Sequence, residues 1–218
     1  MAIYEAIIFD LDGVICHTDK FHYNAWKKLA DELKIVFNTE INHRLRGVSR
    51  MESLEIILSG SETTYSQEEK EHFATQKNEI YVQSLRQLSP KDLSGEVADT
   101  LNALRNSKIK LGIGSSSKNA KLILTRLGLG DYFDAVADGT QIQHSKPNPE
   151  VFLLCAKKLC TEPCNCLVVE DAAAGIAAAK AGGMAAAAIG DAFSCKDADY
   201  KLSCFSQLLT ILEIAKNN

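Results

Sequence analysis

The stretch Ala6-Ile7-Ile8-Phe9-Asp10-Leu11-Asp12-Gly13-Val14 decides the fold. Its apolar run is too short for a core helix and is typical of a buried parallel strand. Because side chains alternate along a strand, Asp10 and Asp12 point to the same side where the strand gives way to loop. Open α/β sheets bind their ligands at that carboxyl end. Two acids crowded there need a cation or hydrogen bonds. A solvated surface turn is the favoured interpretation of such a pair taken alone, but three further segments of the chain favour a ligand site.

Composition excludes several classes of protein. The chain has 218 residues, 46% of them hydrophobic, which is enough for one large domain or two modest ones. A net charge of −4 and a pI of about 5.8 give no basic footprint for nucleic acid. No apolar run reaches the roughly 18 residues of a membrane span, and the first residues lack the pattern of a signal peptide. We therefore expect a cytoplasmic protein, and no spare apolar helix suggests an obligate partner, so we expect a monomer.

Seven cysteines are an odd number in a chain too large to need disulfide staples, which predicts reduced thiols. Four of them cluster closely enough to raise the question of zinc. Their spacing lacks the paired C-x-x-C of zinc knuckles, and the last of the four opens an apolar strand run. Free thiols are the favoured interpretation for Cys155, Cys160, Cys164 and Cys166.

The pattern of the chain divides it into two parts. From about Asp19 to Leu88 the pattern is helical, with capping boxes at Ser49 and Ser66 that predict two helix starts. From Asp99 onward, helices and strands alternate. The predicted helices are 96–106, 118–127, 149–160 and 173–182, and the predicted strands are Ile109–Gly114, Ala135–Ala137, Leu167–Val169 and Ala185–Ile189.

This order predicts an α/β fold: a doubly wound, Rossmann-like parallel sheet with a small all-helical cap inserted after the first strand. The core domain would comprise residues 1–16 and 89–218, and the cap would comprise residues 17–88. An insertion at that point lies at the ligand-binding edge of the sheet. It could therefore close over Asp10 and Asp12.

Polar residues also follow the later strands. The loop Ser115-Ser116-Ser117 offers hydroxyls and backbone N–H groups that suit a phosphate, although simple helix capping is the alternative. Lys146 lies in a loop stiffened by two prolines, which argues against a merely flexible surface lysine. Glu170-Asp171 ends a third buried strand. Oxygen ligands from two strand ends suit Mg²⁺.

These residues resemble a known family. Asp10-Leu11-Asp12-Gly13, Ser115, Lys146 and Glu170-Asp171 are similar to the four ordered motifs of the haloacid dehalogenase superfamily of phosphotransferases. The helical insertion is similar to the first cap class of that superfamily. Further motifs resemble its β-phosphoglucomutase subgroup: Asp12-Gly13-Val14-Ile15, His22, Ala25-Trp26, Arg46-Gly47-Val48-Ser49-Arg50, Lys77-Asn78, Ser117-Lys118-Asn119 and Ser145-Lys146-Pro147.

The resemblance implies a Mg²⁺-dependent enzyme that interconverts β-D-glucose 1-phosphate and β-D-glucose 6-phosphate through an aspartyl phosphate. A glucose 1,6-bisphosphate intermediate, also needed as activator, would turn round between the two half reactions. A sugar-phosphate phosphatase of the same superfamily is the alternative, and a non-catalytic phosphosugar-binding protein is a further one. Two departures from the subgroup concern His17, next to the cap hinge, and Ala172, where a hydroxyl residue is frequent.

The same resemblance implies roles for individual residues. Asp10 would be the nucleophile and Asp12 the general acid and base, while Ser115 and Lys146 would bind the transferring phosphoryl group. Mg²⁺ would be held by Asp10, the carbonyl of Asp12, Asp171 and, directly or through water, Glu170. Arg50 would hold the second, non-transferring phosphate. The remaining expected substrate-binding residues are Thr18, His22, Trp26, Arg46, Gly47, Val48, Lys77, Ser116, Ser117, Lys118 and Asn119.

Overall fold

The computed structural model describes residues 4–45 and 48–217, with side chains described to residue 212. Six parallel strands form one sheet in the order β3-β2-β1-β4-β5-β6. They are β1 (Ala6–Phe9), β2 (Lys110–Gly114), β3 (Ala135–Ala137), β4 (Cys166–Glu170), β5 (Ala185–Ile189) and β6 (Tyr200–Leu202). The predicted α/β class is confirmed. The edge strand β6 was not predicted.

Helices alternate with these strands and fill the segment between β1 and β2. They are α1 (Asp19–Glu32), α2 (Thr39–His43), α3 (Arg50–Leu58), α4 (Gln67–Leu85), α5 (Gly95–Asn106), α6 (Ala120–Arg126), α7 (Glu150–Lys158), α8 (Ala173–Ala181) and α9 (Gln207–Asn217). Helices α2 and α9 were not predicted. Helix α6 begins two residues later than predicted, because the serine loop before it forms side chain–backbone turns. Across the described ranges, no helix is long and apolar enough to cross a membrane.

Strand β1 lies at the centre of the sheet, and all four of its residues are fully buried. Ile7 and Phe9 belong to the core cluster on one face, which includes residues of α5, α6 and α9. Ile8 belongs to the cluster on the other face, with residues of α7 and α8. A strand covered on both faces needs an apolar residue at every position, which explains the uninterrupted run in the sequence.

The inserted helices have a hydrophobic cluster of their own, which includes Trp26, Leu29, Leu54, Ile57 and Ala74. Both predicted capping boxes are present, at the starts of α3 and α4. Helices α1 to α4 all fall within the predicted cap. Its boundaries at residues 17 and 88 stay a prediction.

Candidate active site

Parallel pairing brings the predicted catalytic groups to one edge of the sheet. Strand β1 lies between β2 and β4, so Asp10 follows β1 beside Ser115, which follows β2, and beside Glu170, which ends β4. The backbone N–H of Asp10 donates to the carbonyl of Val169 at 2.9 Å, which continues the ladder one residue past the strand. Ser115 is tied in the same way to Ala137, at 3.0 Å. All three polar residues are buried.

Lys146 connects two of the acids at this edge. Its ammonium donates to Oδ1 of Asp10 and, at 2.7 Å, to Oε1 of Glu170, while it lies 4.6 Å from the ring centre of Phe152. Burial lowers the pKa of Lys146, but the two carboxylates outweigh burial and raise the pKa above its ordinary value. Burial raises the pKa of Asp10, and the ammonium opposes that effect. Lys146 therefore stays charged and offsets the crowding of the acids.

Three carboxylates form a candidate metal centre. One oxygen each from Asp10, Glu170 and Asp171 lies within 4.8 Å of the others. Two glycines make room for them: a Cβ on Gly13, which has φ of +90°, would lie 2.0 Å from Oδ2 of Asp171, and one on Gly175 would lie 2.0 Å from Oε1 of Glu170. Hard carboxylate oxygens gathered in this way fit Mg²⁺, which prefers oxygen ligands.

Asp12 is held by a chain of hydrogen bonds from the inserted helices. Thr18 donates its hydroxyl hydrogen to Oδ1 of Asp12, and the phenol of Tyr81 donates to Thr18 Oγ1 at 3.0 Å. Burial raises the pKa of Asp12 to about 6, although the bond from Thr18 opposes the shift. A carboxyl group with this pKa can both give and take a proton near neutral pH, as acid–base catalysis requires.

Lys77 is a buried cation in an aromatic setting. Its side chain is packed between α1 and α4, with Nζ 2.9 Å from Nδ1 of His22 and 4.7 Å from the ring centres of both Trp26 and Tyr81. Burial, reinforced by the charge of Arg50, lowers the pKa of Lys77 to about 7. Burial and the charge of Lys77 lower the pKa of His22. His22 is therefore neutral near pH 7.

Arg50 begins α3, directly after the capping box of Ser49. Its Nη2 donates to Oδ1 of Asn78 at 2.8 Å, and Nδ2 of Asn119 donates to the same oxygen at 3.0 Å. No ion pair of Arg50 occurs among the described residues. Among the described residues, no carboxylate in contact therefore compensates the charge of its guanidinium, and burial lowers its pKa. Such a group suits an anion.

One cavity of about 370 Å³ joins these groups. The predicted site residues that line it are Asp10, Asp12, His22, Trp26, Val48, Arg50, Lys77, Ser115, Ser116, Ser117, Lys118, Asn119, Lys146, Glu170 and Asp171. Oγ of Ser116 is buried and has no hydrogen-bond partner within the described part of the chain. Thr18 is fully buried and lies behind Asp12 instead of on the described cavity wall. The predictions for Arg46 and Gly47 lie outside the described residues.

Several lining residues were missed in the sequence, among them Asn78, Tyr81, Ile142 and Gln143. Asn78 is the second residue of the Lys77-Asn78 motif and could have been found there. Tyr81 follows Lys77 by one helical turn, which is a signal for the same helix face. Ile142 and Gln143 lie in an irregular loop, and no pattern in the sequence indicates that this loop reaches the cavity.

A model of the haloacid dehalogenase-like hydrolases matches residues 4–183. The chain belongs to this family. It is 44% identical, over 85% of its length and 83% of the relative, to a β-phosphoglucomutase of Bacillus subtilis. It is 32% identical, over 83% of its length and 94% of the relative, to a fructose-1-phosphate phosphatase of Escherichia coli. A crystal structure of a β-phosphoglucomutase from Clostridium difficile superposes with a TM-score of 0.91 at 39% identity, covering 98% of each chain. The predicted resemblance is confirmed.

Proposed function

We propose that this haloacid dehalogenase family member interconverts β-D-glucose 1-phosphate and β-D-glucose 6-phosphate. The observation that carries the proposal is that Arg50, with no carboxylate partner among the described residues, lines the same cavity as Asp10, Asp12 and Lys146. A mutase must hold both ends of a bisphosphate, one at the nucleophile and one far from it. Lys146 and Arg50 supply a cation for each end. A phosphatase needs only the first.

The proposed reaction has two phosphoryl transfers. In the first, a hydroxyl of the sugar phosphate attacks phosphorus of phosphorylated Asp10, the bond from phosphorus to the aspartyl oxygen breaks, and Asp12 takes the hydroxyl proton. The product is glucose 1,6-bisphosphate. The bisphosphate then reverses its orientation in the site. Asp10 attacks the other phosphorus, the bond from that phosphorus to the sugar oxygen breaks, and Asp12 returns the proton to that oxygen. Asp10 is phosphorylated again.

The core residues have supporting roles in both transfers. Mg²⁺ bound by Asp10, Asp171, the carbonyl of Asp12 and, directly or through water, Glu170 would neutralise charge on the phosphoryl group. Lys146, already within hydrogen-bond distance of Asp10, is placed to bind the oxygens of that group. The hydroxyl of Ser115 lies at the same sheet edge and would donate to another of these oxygens.

The cap residues would select a sugar hydroxyl over water. Tyr81 and Thr18 link helix α4 of the insertion to Asp12, so movement of the cap changes how Asp12 is oriented. Lys77 and His22, whose imidazole is neutral, line the cavity beside Trp26. There they would bind the hydroxyls of the sugar ring. A phosphatase that passes the phosphoryl group to water is the second candidate, since relatives of that class share 30 to 32% identity with the chain.

Incubation with β-glucose 1-phosphate, Mg²⁺ and a trace of glucose 1,6-bisphosphate tests the proposal. Phosphorus NMR distinguishes the three phosphates in real time. We expect glucose 6-phosphate to appear as the main product and to depend on the bisphosphate. Release of inorganic phosphate with no glucose 6-phosphate would favour the phosphatase instead. Asp10→Asn is the matched control, because an amide cannot be the nucleophile. A monomeric, cytoplasmic enzyme without a nucleic-acid or membrane partner stays a prediction.

A further inference from the structure

We infer that Asn78 is the residue that assembles the distal anion-binding site, by fixing Arg50 of the cap and Asn119 of the core on one amide oxygen. The two bonds, at 2.8 Å and 3.0 Å, come from residues 28 and 41 positions away in the sequence. Asn78 itself lies on α4 and lines the cavity. This inference rests on the proposed function, since it explains how the second phosphate is held.

The orientation of the Asn78 amide follows from the chemistry of its neighbour. A guanidinium has five N–H donors and no acceptor, so the atom of Asn78 that Arg50 contacts must be the oxygen. The oxygen of Asn78 in turn requires Asn119 to present its NH2 group. The contact with Arg50 therefore determines which atom is oxygen and which is nitrogen in the amides of both Asn78 and Asn119.

The same constraint determines what the site offers a ligand. With Oδ1 of Asn78 accepting two hydrogen bonds, its NH2 group has no hydrogen-bond partner among the described residues. Nδ2 of Asn119 has a second hydrogen beyond the one given to Asn78. Arg50 uses one of its N–H groups on Asn78 and has others left. All three residues line the cavity, and each has at least one N–H donor that is not used in these two bonds. Several N–H donors around one cavity suit the oxygens of a phosphate dianion.

Asn78 also joins the cap to the core. Arg50 and Asn78 lie on the inserted helices α3 and α4, whereas Asn119 lies at the start of α6. The distal site is complete only when these helices meet. Because the position of Arg50 depends on Asn78, removal of Asn78 should weaken anion binding through Arg50 as well as directly. Asn78 is therefore a positioning residue with a ligand contact of its own.

A double-mutant cycle on binding tests this dependence. Calorimetry measures Kd for a panel of glucose 6-phosphate, glucose 1,6-bisphosphate and fructose 1-phosphate, with wild type, Asn78→Ala, Arg50→Ala and the double variant. We expect Asn78→Ala to raise Kd about 10- to 100-fold, as for loss of hydrogen bonds to charged groups. In the Arg50→Ala background the same change should raise Kd by a clearly smaller factor, because only the direct contact of Asn78 and its bond to Asn119 are then lost.

Equal losses in both backgrounds would overturn the inference, as would unchanged binding by Asn78→Ala. Asn78→Asp keeps the shape and both acceptor bonds, so it guards against a folding defect. We expect it also to weaken binding at least 10-fold, because it loses the NH2 donors and places a negative charge beside the phosphate. Gln76→Ala on the same helix is the matched control, since Gln76 bonds to Glu32 away from the cavity. Failure of the chain to isomerise glucose phosphates would overturn the proposed function, while the cycle on the panel still measures the role of Asn78.

Discussion

Replacing Lys77 with methionine should make the protein more stable while it weakens activity. The side chain is buried, and burial with the charge of Arg50 lowers its pKa from the ordinary 10.5 to about 7. That difference corresponds to about 5 kcal/mol by which the folded state disfavours the charged lysine. The contact with His22 and the two aromatic rings offset part of this cost, at about 0.5–2 kcal/mol each. A methionine of similar length fills the space without a charge.

The sign of the pH dependence follows from proton binding. Between pH 7 and 10.5 the unfolded chain keeps the Lys77 proton that the folded chain has lost. The unfolded state therefore binds more protons, and the free energy of unfolding of the wild type rises with pH across this window. Lys77→Met has no such proton. The free energy of unfolding of Lys77→Met should exceed that of the wild type by about 2–4 kcal/mol at pH 6.5. This difference should be smaller by about 1–3 kcal/mol at pH 9.

Urea unfolding at the two pH values, followed by far-UV circular dichroism, measures both quantities. Trp26 is the only tryptophan in the sequence and lies against Lys77, so its fluorescence reports on the cap in the same titration. Lys70→Met is the matched control: it removes a lysine from the same helix that is paired with Glu55 at the surface. A gain in stability that does not change between pH 6.5 and 9, or a loss of stability at pH 6.5, would refute the reasoning.

Four further substitutions test the site. Asp10→Asn should leave less than about a thousandth of the wild-type rate and no trapped phosphoenzyme in acid-quenched samples, because the nucleophile is gone. Asp171→Ala should raise the Mg²⁺ concentration for half-maximal rate at least 10-fold, and an unchanged Mg²⁺ titration would contradict its metal role. Arg50→Ala should lower kcat/KM for β-glucose 1-phosphate about 30- to 1000-fold. The loss should be far smaller for acetyl phosphate, which has no second anion. Equal losses for the two substrates would contradict the role of Arg50 in binding the distal phosphate. Thr18→Val should increase phosphate release to water relative to sugar transfer, because Asp12 loses its hydroxyl donor; an unchanged ratio of the two products would argue against the link through Tyr81.

The sequence predicted the core of the site because local patterns determine it. A strand buried on both faces is an uninterrupted apolar run, so the first acid after it shows where the strand ends. The acids after β1 and at the end of β4 lie close together because neighbouring parallel strands end at the same edge of the sheet. The three-residue edge strand at Tyr200–Leu202 is too short to produce such a pattern. Contacts across the cap depend on how whole helices dock. The bond of Asn78 to Asn119 joins positions 41 residues apart, and nothing in either segment alone indicates it.

The charges of the cavity explain why cap and core are built differently. In the core, Lys146 contacts two carboxylates, so it stays charged and needs no ligand to be stabilised. In the cap, Arg50 is charged and Lys77, with a pKa of about 7, is partly protonated near neutral pH; neither has an ion pair among the described residues, and burial lowers the pKa of each. The folded chain therefore carries an unfavourable positive charge that a phosphate dianion would relieve. Ligand binding should then stabilise the inserted helices more than the sheet, so the cap would close most firmly when both phosphates of the substrate are in place.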